Sequence, residues 1–256
     1  MRKYYHKLKS IIGLSLSMAK ANFKLRNEGS YLGIFWYLLE PLLLFLIIYF
    51  VRNQIVGTNI LNYAVYLIVG LIVFNFFRGT TSLCVNSIRR NSVFVKSMKI
   101  PQESLVISPV LQSIFSHMFE LIVIVFILIY FSIPIYGVIF YLFVFLFFAF
   151  FIMGISFILA TLGVYILDLG NVWRVFSTLL WFATPIFYII SSESKIYFFN
   201  LFNPMYYFIS ASRDIIIYQS FPEIFIVIGI VGFSLFFFLL GLFIFEKYKT
   251  KFAEEL

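Results

Sequence analysis

Long apolar runs, each closed by a short polar cluster, alternate along almost the whole chain. The first, 32–51, stops at Arg52, Asn53 and Gln54 and is long enough to cross about 30 Å of hydrocarbon as a helix. A second run, 62–83, carries Asn75 and Arg78, which lie three apart and so share one helix face. That face should not meet lipid. The third, 105–131, has a clean apolar stretch only over 121–131, so a spanning helix must include Gln112, Ser116, His117 and Glu120. A polar half inside a membrane helix implies protein neighbours.

Pro134 and Gly137 break the chain, and the Phe-rich run 138–167 predicts a fourth span, with 172–190 as the fifth. The stretch 196–219 is interrupted by Asn200 and Asn203-Pro204, and a residue before proline resists the helical region, so it predicts two short helices that do not cross. The run 224–245, bounded by Pro222 and by Glu246 and Lys247, is the sixth span.

Composition turns this pattern into a class. The 256 residues are 62% hydrophobic and 12% charged, with a mean hydropathy of +1.02; soluble domains are roughly half apolar and a quarter charged. The expectation is an all-α integral membrane protein, one unit over 1–256, with a six-span bundle at 32–245 and a tail at 246–256. The net charge of +8 reports topology here and not nucleic acid. Cytoplasmic flanks collect Lys and Arg. Arg2, Lys3, Lys7, Lys9, Lys20, Lys24 and Arg26 precede span one, Lys247, Lys249 and Lys251 follow span six, and Arg89, Arg90, Lys96 and Lys99 lie between spans two and three. The opposite side holds Arg52, Lys195 and Arg213. Six spans therefore put both termini in the cytoplasm.

The patch 11–19 followed by Ala19-Lys20-Ala21 resembles a signal peptide and its cleavage site, but Ser15, Ser17 and Lys20 interrupt it. Tyr5, Leu8, Ile12, Leu16, Ala19 and Phe23 recur at helical spacing, which predicts an amphipathic helix within 1–30 lying at the cytoplasmic membrane surface. No repeat of the inverted kind is visible.

Candidate chemistry is sparse. Cys84 is the single cysteine and cannot form an internal disulfide. His6 and His117 are the two histidines, too few for a structural metal cluster. On span five Arg174, Ser177, Trp181, Thr184 and Tyr188 are spaced three, four, three and four, one polar and aromatic stripe that either packs on another helix or walls a path for a polar solute. Gly33, Trp36, Tyr37 and Glu40 form a shorter version on span one. Glu40-Pro41 puts an ionisable group near the cytoplasmic face, where it can pair with Arg89 or Arg174, bind a solute or take a proton. His117 and Glu120, one turn apart, can share a hydrogen bond. Asp168, Gly170 and Asn171 predict a tight turn between spans four and five. Aromatic residues make up 22% of the chain; ring faces give sugars a surface to slide on, which makes glycans a candidate cargo. There is no Gly-Lys dipeptide and hence no phosphate-binding loop.

The run 23–42, FKLRNEGSYLGIFWYLLEPL, resembles the start of span one in ABC-2 type permeases that export bacterial polysaccharides. The basic segment 86–101, the run from Thr184-Pro185 to Tyr188, and Asn203-Pro204-Met205-Tyr206 followed by Arg213 are similar to that family as well. The resemblance covers essentially the whole chain and is closest to O-antigen (lipopolysaccharide) exporters. One departure is Leu167 before Asp168, where many relatives carry an Arg-Asp pair, so no role passes to that position.

The resemblance implies a homodimer in the bacterial inner membrane, bound to two copies of a separate ATP-binding-cassette subunit that holds the ATP and Mg. The cargo would be a lipid-linked polysaccharide. It further implies no catalyst and no cofactor in this chain, ATPase contact through the N-terminal helix and Arg89, Arg90, Lys96 and Lys99, and a channel lined by spans one and five of both copies. The two short helices, with Asn203, Pro204 and Arg213, would form a periplasmic gate. Teichoic acid or capsule export fits the same frame. A membrane glycosyl- or phosphotransferase would want clustered acids, which here are scattered singly, and proton-coupled transport through Glu40, His117 and Glu120 would follow pH and not ATP.

Overall fold

The computed structural model describes residues 2–28, 31–55, 62–98, 100–190 and 195–256. Among them the regular structure is helical. Helix α1 spans Arg2–Asn27, α2 Trp36–Ile55, α3 Tyr63–Val85, α4 Ser87–Arg90, α5 Ser92–Ser97, α6 Glu103–Tyr130 and α7 Tyr136–Tyr165. They are followed by α8 Leu169–Ala183, α9 Lys195–Asn200, α10 Pro204–Ile216, α11 Ile224–Tyr248 and α12 Phe252–Glu255.

Four helices, α3, α6, α7 and α11, are long and apolar enough to cross a bilayer. Helix α2 matches the predicted first span but has Glu40 and Arg52 near its ends, leaving Leu38–Val51 as its apolar stretch. Helix α8 is the clear departure from the sequence pattern. The apolar run continues to 190, yet the helix stops at Ala183, after about 22 Å, short of a 30 Å core. Pro185 is the cause: it drives Thr184 to φ −88°, ψ 136°, and the chain leaves the helix extended. The predicted pair of short helices forms as α9 and α10. Asn203 caps α10, its Oδ1 accepting from the Met205 N–H at 3.0 Å, with Pro204 in the first turn.

Helix α3 is the axis of the bundle, buried along most of its length and packed by α2, α6, α7, α8 and α10. The most extensive helix pairing joins α7 to α11. Gly154 and Gly241 sit where those two backbones touch, and a side chain on either would collide with the other helix. Aromatic rings fill the space between α3, α7 and α10: Phe148 and Phe151 lie 4.7 and 5.2 Å from Phe208.

Helix α1 forms as predicted; its buried positions are Ile11, Ser15 and Ala19, whereas Leu8, Ile12 and Leu16 of the predicted stripe are exposed. The Ser104 hydroxyl donates to the Ile11 carbonyl at 3.1 Å, and Phe23 meets Phe115 and Phe119 at 6.1 and 6.2 Å between ring centroids. These contacts advance together along both chains, so α1 runs beside the first half of α6 in the same direction. The physical reason is size: Ser15 and Ala19 let the α1 backbone approach α6 closely, which bulkier Ile12 and Leu16 would prevent.

Candidate functional site

Two polar constellations interrupt this apolar bundle. The first is a cavity of about 390 Å³ between α2, α3 and α6. Asn75, Arg78, Gly79 and Ser82 project into it from α3, Glu40 from α2, Ser113, Ser116 and Glu120 from α6, and Arg26 from the end of α1. The α3 residues recur at three, four and seven positions, one helix face. Charge is balanced at two guanidinium and two carboxylate groups. Arg78 makes one hydrogen bond among the described residues, Nη2 to the Thr178 Oγ1 of α8 at 3.3 Å.

From Glu120 a hydrogen-bonded chain leads into the protein. Its Oε2 is 2.8 Å from Nδ1 of His117, and Nε2 of His117 is 3.0 Å from the Tyr141 hydroxyl on α7. Phe145 stacks on the His117 ring at 4.7 Å and Phe76 closes the other side. The predicted His117–Glu120 contact is thus present. Tyr141, its far end, was invisible in sequence because nothing marks a lone tyrosine in a Phe-rich run. No group of three metal-ligating side chains occurs among the described residues.

The second constellation is a latch over the non-helical segment that follows α8. Four successive carbonyls there would be orphaned in hydrocarbon, where each unpaired backbone group costs several kcal/mol. Side chains from α3 and α10 reach all four. Arg213 donates from Nη1 to the Pro185 carbonyl at 2.7 Å and from Nη2 to that of Ile186 at 2.6 Å. The Tyr63 and Tyr66 hydroxyls donate to Phe187 and Tyr188 at 3.3 and 3.0 Å. Nε of Arg213 donates to the Tyr66 carbonyl at 3.1 Å, and its guanidinium carbon lies 3.4 Å from the centre of the Tyr66 ring. Asn203 Nδ2 donates to Thr184 Oγ1 at 2.9 Å, and that hydroxyl donates on to the Leu180 carbonyl at 2.7 Å. Gly70 leaves room for this: a Cβ there would stand 2.5 Å from Nη2 of Arg213.

The sequence-predicted residues fall unevenly on these two places. Thr184, Asn203, Pro204 and Arg213 meet in the latch, with the Tyr188 carbonyl. Ser177 on α8 and Thr184 at its end are fully buried, and the Trp181 ring lies 5.3 Å from that of Phe187, tilted by 40°, so this part of the stripe packs within the protomer. Arg174 is exposed and donates to Asn171 Oδ1 at 3.1 Å. Arg89 donates to the Val164 carbonyl at 2.9 Å and closes the end of α7. Neither arginine pairs with Glu40, whose charged neighbours in the cavity are Arg26, Arg78 and Glu120. Trp36 is exposed; Arg90 and Lys96 are exposed on α4 and α5. Lys99 and the side chain of Tyr37 lie outside the described residues. Sequence reasoning left Arg26, Arg78 and Ser82 off the pathway, although an arginine and an asparagine on one face of an apolar helix was signal enough for Arg78.

Four helices long and apolar enough to cross a bilayer, around a charged cavity, describe a helical membrane protein. This chain belongs to the ABC-2 type transporter family, whose profile matches residues 14–217; it is a transport component and not an enzyme. It is similar to two proteins of Klebsiella pneumoniae named O-antigen export system permease protein RfbA, 26% identical over 261 and 266 residues, each alignment covering 99% of both chains. A protein of the same name from Myxococcus xanthus is 25% identical over 248 residues, 95% of each chain.

Proposed function

We propose that the chain is the membrane subunit of an ABC exporter that moves lipid-linked polysaccharide of the O-antigen type across the bacterial inner membrane. Two copies of the chain would pair, and two copies of a separate ATPase would supply ATP and Mg chemistry. The single observation that carries the transport reading is the polar cavity: balanced charges from α1, α2, α3 and α6, with hydroxyls on α3 and α6, inside a largely apolar bundle. Hydroxyl-rich sugar needs donors and acceptors together, and this cavity offers both.

In this reading six segments cross, α2, α3, α6, α7, α8 with the non-helical chain after it, and α11, with both termini and the α4–α5 turn in the cytoplasm. Helix α1 lies at that face. Helices α9 and α10 dip in from the periplasm and gate the exit, with Asn203, Pro204 and Arg213 holding the gate to the end of α8. Helices α2 and α8 flank α3 and each bares an apolar stripe, Leu43, Leu46, Ile47 and Phe50 on one and Val172, Val175, Phe176 and Leu179 on the other. Matching unpartnered stripes beside a common polar face suit pairing of two copies around one path. Trp36, Tyr37, Glu40, Arg174 and Trp181 then border it, with Ser177, Thr184 and Tyr188 supporting its wall. Arg90, Lys96 and Lys99 face the ATPase, as do the exposed Val93 and Phe94 of α5.

The test is genetic and biochemical. Removing the chain from its host should leave lipid-linked polymer inside the inner membrane, with export restored by the intact chain. Undiminished surface polymer would refute the cargo. The purified chain alone should hydrolyse no ATP, and robust turnover without a partner would refute the division of labour.

A further inference from the structure

The C-terminal segment, beyond the residues that the family profile matches, ends in a second apolar core. Phe252 of α12 is fully buried, together with Ile88 of α4, Val95 of α5, Leu105 and Val106 of α6, Phe157 of α7 and Phe245 of α11. Its ring meets that of Phe245 at 5.5 Å, edge to face. Leu256, the last residue, packs against the same cluster. Lys249 fixes the approach: its Nζ is 2.8 Å from Glu103 at the start of α6 and 2.6 Å from Glu246. Burial opposes the Lys249 charge, but hydrogen bonds to these two carboxylates outweigh it and raise its pKa above the ordinary lysine value.

Helix α5 has six residues, too few to be stable alone. One of its side chains, Val95, is buried, while Val93, Phe94 and Met98 are exposed on the adjoining turn. What holds α5 in place is therefore the core under Val95, and α12 is a direct neighbour of α5 in that core.

We infer that α12 is a brace for the ATPase-contact segment: Phe252 and Leu256 are positioning residues that set the posture of α5. The inference rests on the proposed function, in which α5 touches the ATPase. Because α12 hangs from α11 and α5 from α3, the brace also joins the last span to the second at the surface where force would enter. Movement of α5 would then pull on α11.

The experiment uses the complete permease co-expressed with its ATPase. Phe252→Ala, Phe252→Leu, Leu256→Asp and Phe94→Asp are compared for ATPase captured per permease, permease-stimulated ATP hydrolysis and hydrogen exchange of residues 92–97. Phe252→Ala should lower capture and stimulation about tenfold, the scale of losing one packed anchor. Exchange at 92–97 should speed up while exchange in α6 and α7 stays unchanged. Phe252→Leu should restore both readouts to within about twofold, because it keeps the apolar volume. Leu256→Asp, at a partly buried position on the rim of this core, should act in the same direction and decides the matter if Phe252→Ala does not accumulate. Normal capture and exchange in Leu256→Asp and Phe252→Ala, with capture lost in Phe94→Asp, would overturn the brace and leave the docking reading intact. Normal capture in Phe94→Asp would remove the docking reading itself, and the brace with it.

Discussion

Two arginines sit within the apolar bundle and are used in opposite ways. Arg213 spends its donors on three backbone carbonyls, those of Tyr66, Pro185 and Ile186, and lies over an aromatic ring. Arg78 makes one side-chain bond, to Thr178, and otherwise faces a cavity. A guanidinium whose three nitrogens each hold a carbonyl is a structural part, because water or a ligand would have to displace the bonds on which the Pro185 and Ile186 carbonyls depend. A guanidinium with spare donors beside two carboxylates is available to a solute. Charge within a membrane bundle thus marks function only after its hydrogen bonds have been counted.

Substitutions can break that comparison, and the largest expected effect is at the latch. Arg213→Ala should leave the Pro185 and Ile186 carbonyls unpaired and cost about 3–5 kcal/mol, read as lost accumulation and a lower unfolding temperature in detergent. Arg213→Lys should recover little of this, since a single ammonium cannot reproduce the fork. Wild-type stability in Arg213→Ala would show that the carbonyls find other partners. Next comes Gly70→Ala, whose Cβ would press on Nη2 of Arg213. Overpacking there should cost about 1–3 kcal/mol, and an unchanged melting profile would show that the latch is loose. Arg78→Gln should move stability by no more than about 1 kcal/mol while export falls steeply; equal losses of export and stability would make Arg78 a second structural arginine. The smallest stability change is expected for Ser82→Ala, at an exposed cavity edge, within about 0.5 kcal/mol.

The same contrast explains what sequence could and could not tell. Helices α3, α6, α7 and α11 were legible because a long apolar run has few alternatives in a membrane, and the Asn203-Pro204 break was legible because cap and proline chemistry are local. The end of α8 was not. Pro185 was in plain view, but an apolar run continuing to 190 outweighed it. The carbonyl donors that make a non-helical segment tolerable, Tyr63, Tyr66 and Arg213, come from elements more than a hundred or about thirty positions away. The spacing of Arg174, Ser177, Trp181, Thr184 and Tyr188 makes one face only if the helix runs to 190; with its end at Ala183, Arg174 is exposed, Ser177 and Thr184 are buried, and Tyr188 lies beyond the helix. On α1 the face packed against α6 carries the small residues Ser15 and Ala19, which a search for apolar periodicity does not single out.

The central claim is that the polar face of α3 borders the aqueous path, while Ser177 and Thr184 of the α8 stripe are buried behind its wall. Its most direct test places single cysteines at Ser82, Gly79, Ser177 and Thr184 after Cys84→Ser, and treats the permease–ATPase complex in membranes with a water-soluble thiol reagent. Labelling at Ser82 and Gly79, slowed by bound polymer, with Ser177 and Thr184 protected, is the predicted result. Protection of both α3 positions in every nucleotide state, with ready labelling of Ser177 and Thr184, would contradict it.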